Sequence, residues 1–299
     1  MATSIPLCGA YELQHIRKPS IVWCTDCEEG LCSECQNYHS VSKPSRNHNT
    51  LSINEYQELP SDVQQITQNC GKHDEKKAFT YYGLNIVKVF NIGGSKDFEV
   101  KKPPYVFDVA YIIEDNTLVV TSGDSERLGI TIINIQNKNI KQEIPVDSYC
   151  YGIAVKDIQL ICSAAGIQLI DPYNNATNEI VCEQLPKYCY VAHFGDKMYH
   201  TNNKTESVIC YEQQGTVQWT FKNKSVLKNP CGISVDNDGN VYVVGNTSNN
   251  VVVISPDGKQ HKKLLTASDG LSKPYSLDFC RSTNRLLVAN RGYKAMVLL

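Results

Sequence analysis

The chain has 299 residues, 41% hydrophobic and 20% charged, a composition typical of a globular protein with room for more than one domain. Its 29 Lys and Arg against 31 Asp and Glu give a formal net charge of −2, which excludes attraction of nucleic acid or anionic membrane by overall charge alone. No apolar run approaches the roughly 18 residues of a membrane span, and residues 1–20 lack the apolar segment of a signal peptide. We therefore expect a cytoplasmic protein, with the nucleus as the alternative location and no membrane partner.

Apart from Cys70, the 13 cysteines fall into two groups. Five lie between Cys8 and Cys35, whereas those from Cys150 onward are scattered along the chain. Because thiols stay reduced inside the cell, clustered cysteines beside histidines indicate a metal site, and isolated ones such as Cys162 and Cys210 indicate small buried apolar side chains. An odd number also disfavours a pure disulfide framework. We therefore predict a metal site near the N terminus in preference to disulfides.

The N-terminal cysteines and histidines have the spacing of zinc ligands. After Cys8 the pattern is Cys24-x2-Cys27-x4-Cys32-x2-Cys35-x3-His39-x8-His48. Each Cys-x2-Cys pair lets two thiolates reach one tetrahedral Zn²⁺ at about 2.3 Å, and the interleaved pairs predict two ions bound in a crossed arrangement. A segment this short and poor in apolar periodicity cannot fold by burial alone, so metal binding would supply the missing free energy. Nothing in the spacing requires an open coordination position or a general base, which favours a structural site.

This ligand order resembles the type 1 B-box zinc finger of the tripartite-motif (TRIM) family over residues 8–48. The resemblance implies one complete zinc site made by Cys24, Cys27, His39 and His48. It implies a second site with three matching cysteines, Cys8, Cys32 and Cys35. Tyr11 stands where the family has the fourth ligand of this second site; His15 or a water molecule then completes it, or it binds metal weakly or not at all. We predict one tight and one loose Zn²⁺ site in a domain spanning residues 1–49.

Residues 50–83 are expected to form a linker. Residues 61–69 predict one or two helical turns capped by Ser61, which is too short for a coiled coil. Cys70 and His73 resemble the opening ligands of a second B-box whose other ligands are missing. We interpret them as a remnant without metal, the alternative being a site completed from elsewhere in the chain. The RING finger and coiled coil of the TRIM family are not recognised in the sequence.

From residue 84 onward, β-branched and aromatic runs alternate with turn residues in a repeat. Related segments recur at steps of 44, 39, 41 and 44 residues and begin at Phe107, Tyr151, Tyr190, Cys231 and Tyr275. Four strands in about 40 residues is the size of a β-propeller blade. We therefore predict a mainly-β chain: the zinc-stapled module, then a propeller of five four-stranded blades over residues 84–299. Residues 85–92 are expected to supply the missing fourth strand of the last blade and close the ring.

The segment Asn229–Val243 is similar to NHL repeats, and Lys273–Leu277 is similar to them less fully. The Gly-His and Trp-Asp signatures of WD40 propellers are absent. NHL propellers usually have six blades, so five units imply either a five-bladed ring or the loss of a blade between residues 144 and 149. The combined resemblance implies a truncated TRIM-like protein with an NHL propeller.

We expect the chain to be a zinc-binding adaptor or scaffold that binds protein partners through one propeller face, as a monomer or with weak self-association. The TRIM resemblance implies a place in ubiquitin signalling. One alternative is ubiquitin-ligase-like activity through the B-box, although the family's activity normally resides in the RING finger. Another is RNA binding by the NHL propeller, which the balance of 22 Lys and Arg with 21 Asp and Glu in residues 84–299 disfavours.

A propeller enzyme would need polar side chains that converge from the inner strands. Asp108, His193 and Asp278 lie in predicted first strands and are the candidates. Side chains of this kind are more often paired with a neighbour than catalytic. We therefore expect no enzyme activity, no catalytic residues and no cofactor other than Zn²⁺.

Overall fold

The computed structural model describes residues 6–12, 14–24, 27, 29–46, 48, 50–54, 77–81, 86–90, 96–101, 105–123, 129–281, 284–290 and 295–298. The chain divides into two compact units. One consists of Met1–Lys77, Val89–Asp97 and Tyr293–Val297, and the other of Ala78–Lys88, Phe98–Gly292 and Leu298–Leu299. The helical turns expected at residues 61–69, Cys70 and His73 lie outside the described residues, and the domain limits at residues 49 and 83 stay a prediction. Within the described residues, no helix has the length and apolar character needed to span a bilayer.

The N-terminal unit contains two helices and a small sheet. Its elements are α1 (Gly9–Glu12), β1 (Val22–Cys24), β2 (Glu29–Leu31), α2 (Ser33–Val41) and β3 (Thr50–Ser52). The central strand β1 pairs antiparallel with β2 and β3, which places Val22 opposite both Leu31 and Ser52. The buried apolar side chains described in residues 6–54 are Cys8, Cys24, Leu31, Cys32 and Ile53. Because most of them are thiols, burial of apolar surface contributes little to the stability of this unit.

Four four-stranded antiparallel sheets form successive propeller blades. The first blade contains β7 (Val106–Ile112), β8 (Thr117–Ser122), β9 (Gly129–Asn134) and β10 (Asn139–Pro145). The second contains β11 (Ile153–Lys156), β12 (Gln159–Ser163), β13 (Ile167–Ile170) and β14 (Thr177–Val181). The third contains β15 (Val191–Phe194), β16 (Lys197–Asn202), β17 (Ser207–Glu212) and β18 (Val217–Phe221). The fourth contains β19 (Pro230–Val235), β20 (Val241–Gly245), β21 (Asn250–Ile254) and β22 (His261–Leu265).

The fourth blade shows how the turn residues set the strand limits. Gly239 and Gly258 have φ of 83° and 73°, and Asn249 has φ of 48°, so the predicted turn residues adopt the left-handed backbone that tight hairpins require. Along β20, Tyr242 is partly exposed and the other four residues are buried. The four strands of this blade therefore occupy one unit of the predicted repeat.

The fifth repeat forms a three-stranded sheet. Its strands are β23 (Pro274–Cys280), β24 (Arg285–Asn290) and β25 (Ala295–Leu298). A further three-stranded sheet contains β4 (Lys77–Tyr81), β5 (Ile86–Phe90) and β6 (Lys96–Val100) in that order. The prediction that residues 85–92 complete the last blade is wrong for the described strands, since β5 pairs with its neighbours in sequence on both sides. We predicted five four-stranded blades. The described strands instead form four such blades, followed in sequence by the three-stranded sheet of β23, β24 and β25.

The first strands of successive blades lie side by side, and close backbone packing explains two glycines of the repeat. A Cβ atom on Gly152 would lie 2.6 Å from Cα of Tyr190, and one on Gly232 would lie 2.6 Å from Cα of Ser276. Tyr190 directly precedes the first strand of the third blade, and Ser276 lies in the first strand of the fifth repeat. The Gly in the repeated Tyr151-Gly and Cys231-Gly segments is therefore required by the close approach of neighbouring blades.

The expectation about the scattered cysteines is wrong in part: Cys162 and Cys210 are buried, as expected, but a disulfide was not expected. Cys162 does not stand alone in its apolar run, because it forms a disulfide with Cys150, at a Cα–Cα distance of 6.3 Å. Both residues are fully buried in the apolar cluster between the first and second blades. Strand β12 carries Cys162 opposite Ile153, which lies only three positions after Cys150. The antiparallel pairing of β11 with β12 therefore brings together two thiols that are 12 residues apart in the sequence.

Candidate metal centre and binding face

Two cysteines and two histidines converge in the N-terminal unit. The ligand atoms of Cys24, Cys27, His39 and His48 all lie within 4.8 Å of one another. Cys27 Sγ is 3.3 Å from both His39 Nε2 and His48 Nδ1, and Cys24 Sγ is 3.8 Å from His48 Nδ1. In tetrahedral coordination, sulfur at about 2.3 Å and nitrogen at about 2.0–2.1 Å from zinc stand about 3.6 Å apart. The donors therefore fit one tetrahedral ion.

Local structure positions these four side chains. Cys24 ends β1, and its Sγ accepts a hydrogen bond of 3.3 Å from the Cys27 backbone N–H in the following turn. His39 lies in α2, which begins directly after Cys32. Ser45 then joins His39 to His48, because its hydroxyl donates to the His39 carbonyl at 2.7 Å while its own carbonyl accepts the His48 N–H at 2.9 Å.

A second group consists of three thiols. The sulfur atoms of Cys8, Cys32 and Cys35 lie within 4.8 Å of one another, and Cys8 and Cys32 are buried. Burial and the neighbouring Cys8 and Cys32 thiols raise the pKa of Cys35 to about 12. A bound divalent cation favours the thiolate and opposes this rise. Helix α2 supplies Cys35 to this group and His39 to the other, so both groups share one helix.

Tyr11 does not join the three thiols. Its hydroxyl donates a hydrogen bond of 2.7 Å to a carboxylate oxygen of Glu34, in the first turn of α2. Lys18 Nζ donates to the same oxygen at 2.7 Å and lies 4.3 Å from the centre of the Tyr11 ring. Hydrogen bonds from Lys18 and Tyr11 lower the pKa of Glu34. His15 is exposed and outside both groups, so within the described residues the second group has three ligand atoms of the Cys, His, Asp or Glu type.

Five exposed lysines lie in three propeller loops, and we call them the lysine patch: Lys187, Lys204, Lys222, Lys224 and Lys228. Two contacts join these loops. Asn203 Nδ2 donates to the Lys187 carbonyl at 2.9 Å, and Lys224 forms a 3.3 Å ion pair with Glu206. The sequence shows the short run from Lys222 to Lys228, but Lys187 and Lys204 come from earlier loops. Nothing in the local sequence links these lysines. The loops come together only because strands β15 to β18 fold into the antiparallel sheet of the third blade.

Aromatic rings lie at the start of the inner strands on the same side as the lysine patch. Phe107 is 4.9 Å from Tyr190 and 6.5 Å from Tyr275, between ring centroids, so rings from the first, third and fifth repeats meet. Tyr149 is exposed and lies 4.8 Å below Lys187 Nζ. Propeller loops of this kind are the usual position of binding residues, since the rigid blades hold them in place. This face therefore combines exposed lysines with the exposed Tyr149, whereas Phe107 and Tyr190 are buried.

The three candidate catalytic side chains serve contacts between blades. The Asp108 carboxylate accepts N–H groups from Ile153 at 3.0 Å and from Val109 at 2.9 Å, and burial raises its pKa to about 7. His193 Nε2 is hydrogen-bonded to the Val155 carbonyl, and burial lowers its pKa. The Asp278 carboxylate accepts a hydrogen bond of 3.4 Å from Ser234. None of the three belongs to a group of potential metal ligands in the described part of the chain.

Comparisons with known proteins support the propeller. The model of the family described as "Beta-propeller repeat" matches residues 223–251, and no curated protein matches the sequence. Virginiamycin B lyase from Staphylococcus aureus is 17% identical with a TM-score of 0.56, over 76% of this chain and 81% of that one. An auxiliary nutrient binding protein from Bacteroides thetaiotaomicron is 9% identical with a TM-score of 0.61, over 76% of this chain and 66% of that one.

A third similar structure, a protein of unknown function from Bacteroides thetaiotaomicron, is 12% identical with a TM-score of 0.58 over 76% of this chain and 72% of that one. At these identities the likeness is one of fold. It nevertheless corrects the expectation of no enzyme activity, because a propeller of this shape is also the fold of a lyase. The absence of a RING finger bears only on ubiquitin-ligase activity, whereas the similar structure is that of a lyase.

Proposed function

We propose that the chain is a zinc-binding adaptor of TRIM and NHL type, acting in the cytoplasm, whose propeller binds a protein partner through the lysine patch and the neighbouring tyrosines. The metal part of the proposal places one Zn²⁺ on Cys24, Cys27, His39 and His48. The observation that carries it is the separation of 3.3 to 3.8 Å between sulfur and nitrogen donors, which matches tetrahedral zinc. Zinc held by four protein ligands is structural and stabilises the fold of a small module.

The binding part rests on the propeller face. Exposed lysines beside the exposed Tyr149 suit a partner with acidic residues, since aromatic side chains contribute much of the binding energy in protein interfaces and complementary charge contributes specificity and association rate. The patch is also modest in charge, because Glu206 pairs with Lys224 and the acidic residue Glu183 lies in the same set of loops. A protein partner therefore suits this face better than RNA, whose backbone requires many cationic contacts.

Affinity capture with the full chain tests this function. We would compare the wild type with the charge reversal Lys204→Glu/Lys228→Glu in cell extract, with and without nuclease, and identify bound proteins by mass spectrometry. The matched control is Lys259→Glu/Lys262→Glu, which changes two exposed lysines in and after the turn between β21 and β22. We expect wild type and control to retain the same nuclease-resistant proteins and the patch variant to lose them at least fivefold. Capture that depends on RNA, or equal losses in both variants, would contradict the proposal.

A further inference from the structure

The second thiol group differs from the first in its number of donors. Cys8, Cys32 and Cys35 supply three sulfur atoms, whereas the first group supplies four ligand atoms. A structural zinc site is closed by four protein ligands, and a site with three protein ligands keeps a position for an exchangeable one. The second site that the B-box resemblance implies therefore has three protein ligands and no fourth among the residues that the structure describes around these thiols.

Tyr11 is held away from the fourth position by two specific contacts. Its hydroxyl donates to Glu34 at 2.7 Å, and Lys18 bonds the same carboxylate at 2.7 Å while covering the ring at 4.3 Å. To reach the thiols, Tyr11 would have to give up a hydrogen bond to a charged group. A neutral phenol is also a poor metal ligand compared with the thiolate, imidazole and carboxylate groups that zinc prefers.

We propose that Cys8, Cys32 and Cys35 hold a thiophilic divalent ion with one open coordination position, and that this position takes a neutral nitrogen donor of the imidazole type. Three thiolates already give a divalent ion a net charge of −1, so a neutral donor is favoured over a fourth anion. Histidine nitrogen is the natural ligand of this kind beside thiolates on zinc. A histidine of a bound protein partner would then add a coordinate bond to the contacts of the adaptor. This inference rests on the metal-binding part of the proposed function.

Cobalt substitution of the full chain tests the proposal, because the visible bands of Co²⁺ report its donor set. We expect two Co²⁺ per chain and a saturable change of the bands when imidazole is added at millimolar concentration. Tyr11→His supplies a nitrogen donor from the chain, so it should abolish the imidazole response and raise the affinity for the second Co²⁺ at least tenfold. Tyr11→Phe is the matched control: it removes the hydroxyl bonded to Glu34, adds no donor, and should keep the response.

Three outcomes would overturn this inference. They are uptake of a single Co²⁺, bands of the second ion that do not respond to imidazole, and a response that appears only after Cys70→Ser/His73→Ala, which would show that the chain itself closes the site. The zinc site of the proposed function is tested separately in the same samples. Cys24→Ser should remove the bands that do not respond to imidazole and leave those that do, so failure at one group is distinguishable from failure at the other.

Discussion

The hydroxyl of Ser163 donates a hydrogen bond of 2.9 Å to the carbonyl oxygen of Cys189, and this bond joins the second blade to the chain that enters the third. The same hydroxyl accepts the Gly152 N–H at 2.7 Å. Thr121 occupies the corresponding position in the first blade, where its hydroxyl donates to the Tyr151 carbonyl. Small hydroxyl side chains at the end of a second strand thus hold neighbouring blades together.

Ser163→Ala should destabilise the propeller by about 0.5–1.5 kcal/mol, because it removes a buried hydroxyl that bonds two backbone groups, while the Gly152 N–H and the Cys189 carbonyl keep their direct bond of 2.9 Å. In a domain of this size the midpoint of thermal unfolding should fall by roughly 2–4 °C per kcal/mol. Differential scanning calorimetry of the full chain measures this change. Ser225→Ala, at an exposed loop position, is the control and should leave the midpoint within about 1 °C. Equal midpoints for the two variants would show that the bond between blades adds no stability.

Gly232→Ala should be more damaging than Ser163→Ala. The added methyl would lie 2.6 Å from Cα of Ser276, so one blade must move relative to the next. Gly195→Ala is a useful comparison, since a Cβ there meets no atom within 4 Å and only its φ of 56° opposes the substitution. We expect urea unfolding to show a clearly larger loss for Gly232→Ala. A smaller loss than at Gly195 would contradict the close approach of the fourth and fifth repeats.

His200 predicts an acid sensitivity of the propeller. It is 1% exposed and stacks on Tyr211, neither ring nitrogen has a hydrogen-bond partner among the residues that the structure describes, and burial lowers its pKa to about 4. The unfolded chain therefore binds a proton near pH 6.5 that the folded chain does not accept until about pH 4. Stability should be unaffected by His200 above pH 6.5 and should fall by about 1.4 kcal/mol per pH unit from pH 6.5 to 4.

Comparison with His200→Phe isolates this effect. Asp108 has the opposite effect on the pH dependence of stability. Burial raises its pKa from the ordinary value near 4 to about 7, so the folded state loses stability as the pH rises from 4 to 7. The two contributions partly cancel in the wild type, so its own pH profile is not diagnostic. The difference in unfolding free energy between wild type and His200→Phe should change steadily below pH 6.5 in favour of the variant. A difference that is constant from pH 7.5 to 4.5 would contradict the neutral, buried histidine.

The disulfide between Cys150 and Cys162 predicts a thiol count and a loss of stability on reduction. At most eleven of the 13 cysteines should react with a thiol reagent in the unfolded, unreduced chain, and all 13 should react after reduction. Closing a loop of 12 residues stabilises a fold by about 3 kcal/mol in the chain-entropy model. Cys162→Ala should therefore lower the unfolding midpoint, and the reducing agent should have no further effect on this variant. Thirteen reactive thiols before reduction would contradict the bond.

Sequence reasoning succeeded where short-range pattern determines structure. The turn glycines Gly239 and Gly258 fix the hairpins of the fourth blade, and the spacing of the repeats predicts the blades. It failed where a strand could pair with another strand far away in the sequence. Nothing local in residues 85–92 distinguishes pairing with β25 from pairing with adjacent strands, and the physical advantage of pairing neighbours in sequence decided the outcome.

The candidate sites show the same division. Cysteine and histidine spacing predicts two ligand groups, and the structure brings both together. The hydrogen bond from Tyr11 to Glu34 was not predictable, because it depends on α2 placing a carboxylate beside a residue of α1 that lies 23 residues earlier in the sequence. Lys187 and Lys204 were missed for a related reason: the balanced charge of the repeat region says nothing about which loops meet on one face.

Metal analysis of the purified full chain tests the central claim most directly. We would measure zinc per chain by native mass spectrometry for the wild type, for Cys24→Ser/His48→Ala, and for the control Cys182→Ser, which changes an exposed thiol of the propeller. The account predicts at least one tightly held zinc in the wild type and the control, and the loss of one zinc in the double variant. A folded wild-type chain without metal, or a double variant with undiminished zinc, would contradict it.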